Sequence, residues 1–183
     1  DNDVFLERWF GSNEGNLYEG EYGTDFEEGM TEQFDQDHGD DESRADIEEF
    51  AEALSGVENG EDAQAVLEEY LDLDQYVAFA ATEIYLGHWD GYVQSANNYK
   101  SFHPEDGKWA FVPWGIDQTF VDSMGDFAGV MNQPGPGWDG GGRVHQVCFM
   151  SEECVALLHD AFEDILERVE TMDLAGLAEQ VRD

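Results

Sequence analysis

The sequence predicts an α+β domain that is mostly helical and carries one small β-hairpin. Apolar residues recur at helical spacing in several stretches, one of them near the middle of the chain. Two short runs typical of strands flank the turn at residues 104–107 and predict the hairpin. With 183 residues, 41% hydrophobic and 13% aromatic, the chain can form one domain with a substantial core.

The charge balance is extreme, because 44 acidic residues stand against 7 basic ones and give a formal net charge of -37. This charge disfavours binding to nucleic acid. The hydrophobic periodicity argues against a disordered acidic chain. Because concentrated salt screens the repulsion between surface carboxylates, the composition predicts a halophilic protein.

The N-terminal part alternates short apolar segments with turns. Residues 4–10 predict an amphipathic turn whose apolar side chains dock against another surface. Residues 14–26 predict a strand or hairpin punctuated by glycines. The glycine spacing there is not that of a P-loop, because Lys and Ser or Thr do not follow the second glycine.

Residues 27–45 are the most polar part of the chain, and we predict a solvated acidic loop there. A calcium-binding loop is the alternative, since four aspartates lie close together in residues 35–42. Gly39, however, falls where the helix-loop-helix calcium pattern needs a ligand. Calcium binding would therefore require another geometry.

Helical periodicity covers much of the remaining chain. Residues 46–54 and 61–70 predict a pair of helices with a break between them. Asp74 is the expected N-cap of a helix that ends near Gly87, and apolar residues on more than one of its faces predict that it is buried. Two further helices are predicted at residues 152–170 and 174–181.

The hairpin and a long loop lie between the central helix and the C-terminal helices. Residues 98–103 and 109–112 predict the two strands. Residues 121–142 are rich in Gly and Pro and predict a flexible loop, which would serve as a lid or a substrate-binding segment.

Cys148 and Cys154 lie six positions apart near the predicted start of a helix. They form either a disulfide that closes a small loop or two isolated thiols. No apolar run reaches the roughly eighteen residues that a membrane span needs. No signal peptide is recognisable, although the chain begins abruptly.

The residues best suited to chemistry lie between positions 88 and 120, at the ends of the predicted elements. Phosphoryl transfer needs a carboxylate near the acceptor hydroxyl, an amide and a second carboxylate that hold a metal, and a cation on the phosphates. Asp90 is placed as catalytic base, with Asn98 and Asp117 as metal ligands. Four neighbours are expected to support the site: His88, Trp89, Asn97 and Trp114.

The order Asp, Asn, Asp around a hairpin is also that of protein kinases, although the eight positions from Asp90 to Asn98 exceed the ordinary kinase spacing. A purely structural interpretation remains open from the spacing alone. In that interpretation Asp90 caps a turn, Asn97 and Asn98 satisfy loop backbone, and Asp117 ends a strand.

Five segments together resemble the spore-coat protein H kinase family, usually called CotH kinases. They are GNLYEGEYGTDF, LDLDQYVAFAATEIYLGHWD, WDGY, NNY and PWGIDQTF, within about residues 5–166. The resemblance implies an atypical kinase with a protein-kinase-like fold that uses ATP and Mg²⁺ or Mn²⁺. It makes Asp90 the catalytic-loop aspartate, Asn98 the asparagine before the family's Tyr-rich strand and Asp117 the metal-binding aspartate.

The resemblance also implies a protein substrate and a secreted or cell-surface location; the cytoplasm of a salt-accumulating cell is the alternative. A kinase needs a lysine on the nucleotide phosphates upstream of its catalytic loop, yet no lysine precedes Lys100. We therefore expect residues 1–183 to be a partial domain, the mostly helical C-terminal lobe. The nucleotide-covering N-terminal lobe would lie outside it, and the chain alone would bind ATP poorly.

Two positions depart from the family pattern. Gly115 stands where the family usually has the first aspartate of Pro-Trp-Asp-x-Asp, which removes one carboxylate near the metal. Lys100 and Ser101 replace aromatic or aliphatic residues, which an exposed strand edge would tolerate.

Three other functions remain alternatives. Gly115 gives weight to an inactive surface or scaffold module of the same fold. The same ATP site could transfer AMP or an amino acid. Asp90 and Asp117 could also be the paired carboxylates of a glycosidase, although such an enzyme does not require Asn98.

Overall fold

The structure, a computed structural model, describes residues 2–39, 43–120 and 141–181. They form a four-stranded antiparallel sheet with most of the helices on one face, which confirms the predicted α+β class. No helix in these ranges is both long enough and apolar enough to cross a membrane.

The elements follow one another in the order α1, β1, β2, α2 to α5, β3, β4, α6 to α8. The strands are β1 (Gly15–Gly20), β2 (Phe34–His38), β3 (Tyr99–Pro104) and β4 (Ala110–Pro113). The helices are α1 (Asn2–Phe10), α2 (Ala45–Ser55), α3 (Gly60–Tyr70), α4 (Leu73–Leu86), α5 (Tyr92–Ser95), α6 (Arg143–Cys148), α7 (Glu152–Thr171) and α8 (Leu174–Val181).

The sheet has the order β2-β1-β3-β4. Strands β3 and β4 form the predicted hairpin, with Lys100 opposite Val112. Strand β3 also pairs with β1, so it lies inside the sheet. The expected exposed edge at Lys100 and Ser101 is therefore wrong, and Ser101 is fully buried.

Strand β2 corrects the prediction of a continuous loop over residues 27–45. Only Phe34 of this strand is buried, so its sequence shows no apolar alternation. The strand exists because its backbone pairs with β1, where Gly20 lies opposite Phe34. Of the aspartates considered for calcium, Asp37 binds Lys100; residues 40–42 lie outside the described ranges.

The two faces of the sheet have different partners. The large core lies between one face and helices α2, α3, α4, α6 and α7, and aromatic side chains form much of it. Trp109 packs against Phe26 and stacks on Phe50. On the opposite face, Leu17 and Phe102 pack against Leu6 of α1. The predicted docking of the N-terminal segment is thus made by one face of a helix, whereas its apolar residues Val4, Phe5 and Trp9 are exposed.

Helix α4 runs through the core as predicted, but its N-cap is Asp72 instead of Asp74. The Asp72 carboxylate accepts a hydrogen bond from the Gln75 amide at 3.2 Å. The helix ends at Gly87, whose φ of 61° is the left-handed conformation that stops helices. The chain then enters the segment that carries the candidate site.

Cys148 and Cys154 form a disulfide, which settles the two alternatives left by the sequence. It joins the end of α6 to the first turn of α7, and both cysteines are fully buried. Most of the predicted Gly/Pro-rich loop, residues 121–140, lies outside the described ranges.

Candidate functional site

The site is built on the loop that joins α4 to β3. After Gly87 the loop presents His88, Trp89 and Asp90 and then forms the single turn α5. Tyr92 and Val93 begin this turn, and their backbone amides donate to the carboxylate of Glu83 at 3.3 and 2.9 Å. A buried side chain of α4 therefore fixes the loop from beneath.

Asp90 is held by two asparagines. The Asn97 side-chain amide donates to Oδ1 of Asp90 at 3.0 Å. The Asn98 amide donates to Oδ2 of Asp90 at 2.9 Å and to the Asp90 backbone carbonyl at 2.8 Å. Each carboxylate oxygen keeps a further lone pair, so Asp90 can still accept a hydrogen bond from a substrate hydroxyl.

The backbone conformation that aims these amides at Asp90 is uncommon. Ala96 and Asn98 have φ values of 44° and 50°, in the left-handed region that non-glycine residues rarely adopt. Ala96 ends α5 in this conformation and turns the chain back towards Asp90. Such conformations cost on the order of 1–3 kcal/mol each and concentrate at functional sites.

Glu83 and His88 form a buried pair below the loop, with Nδ1 of His88 3.3 Å from Oε1 of Glu83. Burial raises the pKa of Glu83. Burial also opposes the charged form of His88, but Glu83 and the carbonyl of Gly115 outweigh it and raise the His88 pKa. Because Glu83 accepts from two backbone amides, we assign the proton of the pair to His88.

Gly91 is required at the tightest point of the loop. A Cβ atom there would lie 2.5 Å from Oε1 of Glu83 and 2.5 Å from Nδ1 of His88. These distances are below any normal contact, so a side chain at position 91 would force the Glu83 or His88 side chain to move.

The end of β4 packs directly against Asn98. The Trp114 backbone amide donates to the Asn98 carbonyl at 3.1 Å. Gly115 follows with a φ of 54°, and a Cβ atom there would lie 2.5 Å from Oδ1 of Asn98. Asp117 comes two residues later in an exposed turn. Among the described residues neither buried ring nitrogen of His88 has a hydrogen-bond partner, so Gly115 affects His88 electrostatically, by raising its pKa.

The two tryptophans that were expected to support the site are largely exposed. Trp89 is 40% exposed and Trp114 is 49% exposed. Trp114 instead offers its ring to Lys100, whose Nζ lies 4.1 Å from the ring centroid. Both indoles are therefore available to a bound molecule.

A second buried carboxylate, that of Asp25, stabilises the loop between α4 and β3. Asp25 accepts hydrogen bonds from the Tyr92 hydroxyl at 2.9 Å, from the Phe26 amide at 2.8 Å and from the Arg143 amide. Burial raises the pKa of Asp25 to about 6, against the opposing effect of these donors. Asp25 thereby ties α5 to the start of α6.

Neither Glu83 nor Asp25 was predicted from the sequence as part of the site. Glu83 lies on a helix whose neighbours are apolar on several faces, and this was the available signal that its carboxylate is buried. No local pattern could reveal Asp25, because its partners Tyr92 and Arg143 are 67 and 118 positions away.

Two oxygen donors near the site, from Asn98 and Asp117, suit a hard divalent cation, although they are fewer than a complete ligand set. No three His, Cys, Asp or Glu side chains within residues 2–39, 43–120 and 141–181 are grouped so that they could hold a metal. Asn98 uses its Nδ2 on Asp90, which leaves Oδ1 on the side of the Gly115 turn that leads to Asp117. Mg²⁺ is commonly bound by one or two carboxylates together with water and substrate phosphates, so two protein oxygens there would suffice.

Comparison with known proteins gave one family. The family model described as CotH kinase protein matches residues 1–173, nearly the whole chain. The search of curated proteins found no match to this chain.

Proposed function

The chain belongs to the CotH kinase family, and we propose that it transfers the γ-phosphate of ATP to a Ser or Thr hydroxyl of a protein. The observation that carries this proposal is the arrangement around Asp90. Two asparagine amides fix its carboxylate, and the second of them touches the turn that bears Asp117. A base and a metal-binding carboxylate on adjacent loops are what phosphoryl transfer requires.

Asp90 is the proposed catalytic base. Its carboxylate would accept the hydrogen bond of the substrate hydroxyl and take the proton as oxygen attacks the γ-phosphorus. The bond from that phosphorus to the bridging oxygen breaks, and ADP leaves. Asn97 and Asn98 keep the carboxylate in one orientation, which reduces the reorganisation needed during the reaction.

Asn98 and Asp117 are the proposed ligands of Mg²⁺ or Mn²⁺. A divalent ion bound there would neutralise charge on the ATP phosphates. Asn98 contributes an uncharged oxygen, and the turn after Gly115 sets the position of Asp117. His88, paired with Glu83, would act on this turn electrostatically.

The contact between Gly115 and Asn98 bears on the alternative of an inactive module. A side chain at position 115 would collide with the proposed ligand oxygen of Asn98. Gly115 therefore allows the Asn98 amide to stay near Asp90, and its departure from the family pattern is not by itself a reason to infer lost activity.

The location and the salt environment are part of the same proposal. A buried disulfide favours an oxidising compartment, which supports a secreted or cell-surface kinase. The net charge of -37 supports a protein adapted to salt. If so, its melting temperature should rise steeply with KCl.

We also propose that residues covering the nucleotide lie outside this chain.

The test is Mg²⁺- or Mn²⁺-dependent transfer of label from ATP to protein, measured in high salt with the natural protein that contains this chain. Asp90→Asn and Asp117→Ala should each reduce the rate at least about 100-fold. Asp106→Asn, an exposed aspartate of the hairpin turn, is the matched control and should leave the rate unchanged. Transfer that persists in Asp117→Ala would rule out the metal assignment. Reducing sugar released from a polysaccharide without label transfer would favour a glycosidase.

A further inference from the structure

Asp25 is a buried carboxylate that the proposed mechanism does not use. It lies in the segment between β1 and β2 and is only 4% exposed. Its Oδ1 accepts from the Tyr92 hydroxyl and the Phe26 amide, and its Oδ2 accepts from the Arg143 amide. Because burying a carboxylate is costly, its place in the core calls for an explanation.

Tyr92 connects this carboxylate to the loop that carries Asp90. It is the first residue of α5, and it is fully buried. Its hydroxyl donates to Asp25 at 2.9 Å and accepts from the Val144 amide at 3.0 Å. Its backbone amide donates to Glu83 at 3.3 Å. The residue is therefore held at its backbone and at its hydroxyl, so a rotation of α5 would break contacts at one end or the other.

The segment that contains Asp25 also contacts the other end of α5. The Gly23 amide donates to the Ala96 carbonyl at 3.1 Å. Ala96 ends α5 in the left-handed conformation, and the two asparagines of the site follow it directly. Their side-chain amides donate to the carboxylate of Asp90. Residues 23–25 thus bind both ends of the turn that precedes the two asparagines.

Three donors converge on Asp25, and an ionised carboxylate is the group that satisfies all of them. Both of its oxygens are acceptors only. An asparagine at this position would turn its NH₂ group towards either the Arg143 amide or the Phe26 amide. A buried donor that faces another donor is costly. The contacts of position 25 therefore favour Asp over its nearest uncharged equivalent.

The proton state of Asp25 affects these contacts. Burial raises the pKa of Asp25 to about 6, although its three donors lower it. The other ionisable side chains that act on it in the described ranges are Glu27, Tyr76 of α4, Tyr92 of α5 and Tyr99 of β3. Burial raises the pKa of each tyrosine well above its usual value, so these hydroxyls stay protonated. The guanidinium of Arg143 binds the Leu54 carbonyl instead. A proton on Asp25 would therefore replace one of its accepted hydrogen bonds and loosen the contact with α5 or α6.

We propose that Asp25 is a positioning residue for the catalytic base: it fixes α5 through Tyr92, and α5 in turn places the two asparagine amides on Asp90. The inference rests on the proposed function, because it takes Asp90 as the base. The hydrogen bonds of Asp25 run to α5, to α6 and to its own segment. Its loss should therefore slow the chemical step and leave the binding of ATP nearly unchanged.

The test measures kcat and the KM for ATP of the natural protein in Mg²⁺ and high salt, from γ-label that enters casein or the protein itself. Asp25→Asn and Tyr92→Phe should each lower kcat about tenfold or more, because the base is no longer held in place. The KM for ATP should change less than about twofold. Tyr76→Phe is the matched control, since it removes a buried hydroxyl that lies 3.3 Å from Nδ1 of His145, and should keep kcat within about twofold.

A pH profile gives a second readout. Between pH 7 and 5 the kcat of the original protein should fall about threefold or more beyond that of Asp25→Asn, because an asparagine takes up no proton. Tyr92→Phe keeps the buried ring and so guards against misfolding of Asp25→Asn. Urea unfolding of each variant verifies that it is folded.

The outcomes separate this inference from the proposed function. Transfer by the original protein with an unchanged kcat in the folded Asp25 and Tyr92 variants would overturn the role of Asp25 and leave the proposed function standing. An equal loss in Tyr76→Phe, or a KM for ATP that rises as kcat falls, would show a merely structural effect and also overturn it. If the original protein transfers no label, both proposals fail.

Discussion

Replacing Gly115 with Asp, the residue that the family pattern usually has, should damage the site. Position 115 has a φ of 54°, which is unfavourable for any residue with a Cβ atom by roughly 1–2 kcal/mol. The new Cβ would also lie 2.5 Å from Oδ1 and 2.8 Å from Cγ of Asn98. Either the turn or the Asn98 side chain must move.

The size of the effect follows from what Asn98 would lose. Its Nδ2 donates to the Asp90 carbonyl and to the Asp90 carboxylate. Losing such bonds costs about 1 kcal/mol for a neutral acceptor and about 2 kcal/mol for a charged one. Because the turn can relax in part, we expect Gly115→Asp to lower the free energy of unfolding by about 3 kcal/mol and to reduce transfer activity.

Urea unfolding at constant KCl measures this change. Gly115→Ala is the control, since it adds the same Cβ without a charge and should lose a similar amount. In an Asn98→Ala background, Gly115→Ala should cost at least about 1 kcal/mol less, because the colliding amide is gone. Full stability of Gly115→Ala, or strict additivity of the two substitutions, would refute the reasoning.

Three further predictions concern individual buried groups. Glu83→Gln removes the negative charge that is paired with His88, so the His88 pKa, measured by NMR, should drop. The rate of transfer should fall about tenfold or more, and an unchanged His88 pKa would contradict the pairing. Burial lowers the pKa of His145 to about 3, so below about pH 6.5 the unfolded chain takes up a proton that the folded chain does not. Between pH 6.5 and 4.5 the original chain should therefore lose about 2 kcal/mol more stability in urea unfolding than His145→Gln, and equal losses would contradict this. Reduction of the Cys148–Cys154 disulfide should lower the free energy of unfolding by about 2 kcal/mol, the value for a short closed loop, and no change would contradict its contribution.

The sequence predicted the elements that have strong local patterns. The helices of residues 46–54 and 61–70 were found by their apolar spacing, and the β3–β4 hairpin by its turn. Strand β2 was missed because a single buried phenylalanine gives no alternation, and its pairing with β1 is a backbone property. The predicted N-cap of α4 was two residues too late, because Asp72 and Asp74 both suit an N-cap and only the three-dimensional geometry shows that Asp72 is the one used.

The site could be predicted only as a set of residue types in order. Asp90 and Asn98 were chosen for their places between elements, and the structure brings them within hydrogen-bond distance. The contacts that arrange them could not be inferred, because each depends on tertiary packing. Examples are the carboxylate of Glu83 under α5 and the missing Cβ of Gly115 beside Asn98.

The proposed activity of the Asp90 and Asp117 loops is transfer of the terminal phosphate of ATP. The most direct measurement incubates the natural protein and acceptor protein with ATP labelled at either the γ- or the α-phosphate, in Mg²⁺ and high salt. The proposal predicts that the γ-label enters protein, the α-label does not, and Asp90→Asn stops the transfer. Incorporation of the α-label would show transfer of AMP, and equal γ-labelling by Asp90→Asn would contradict the assigned base.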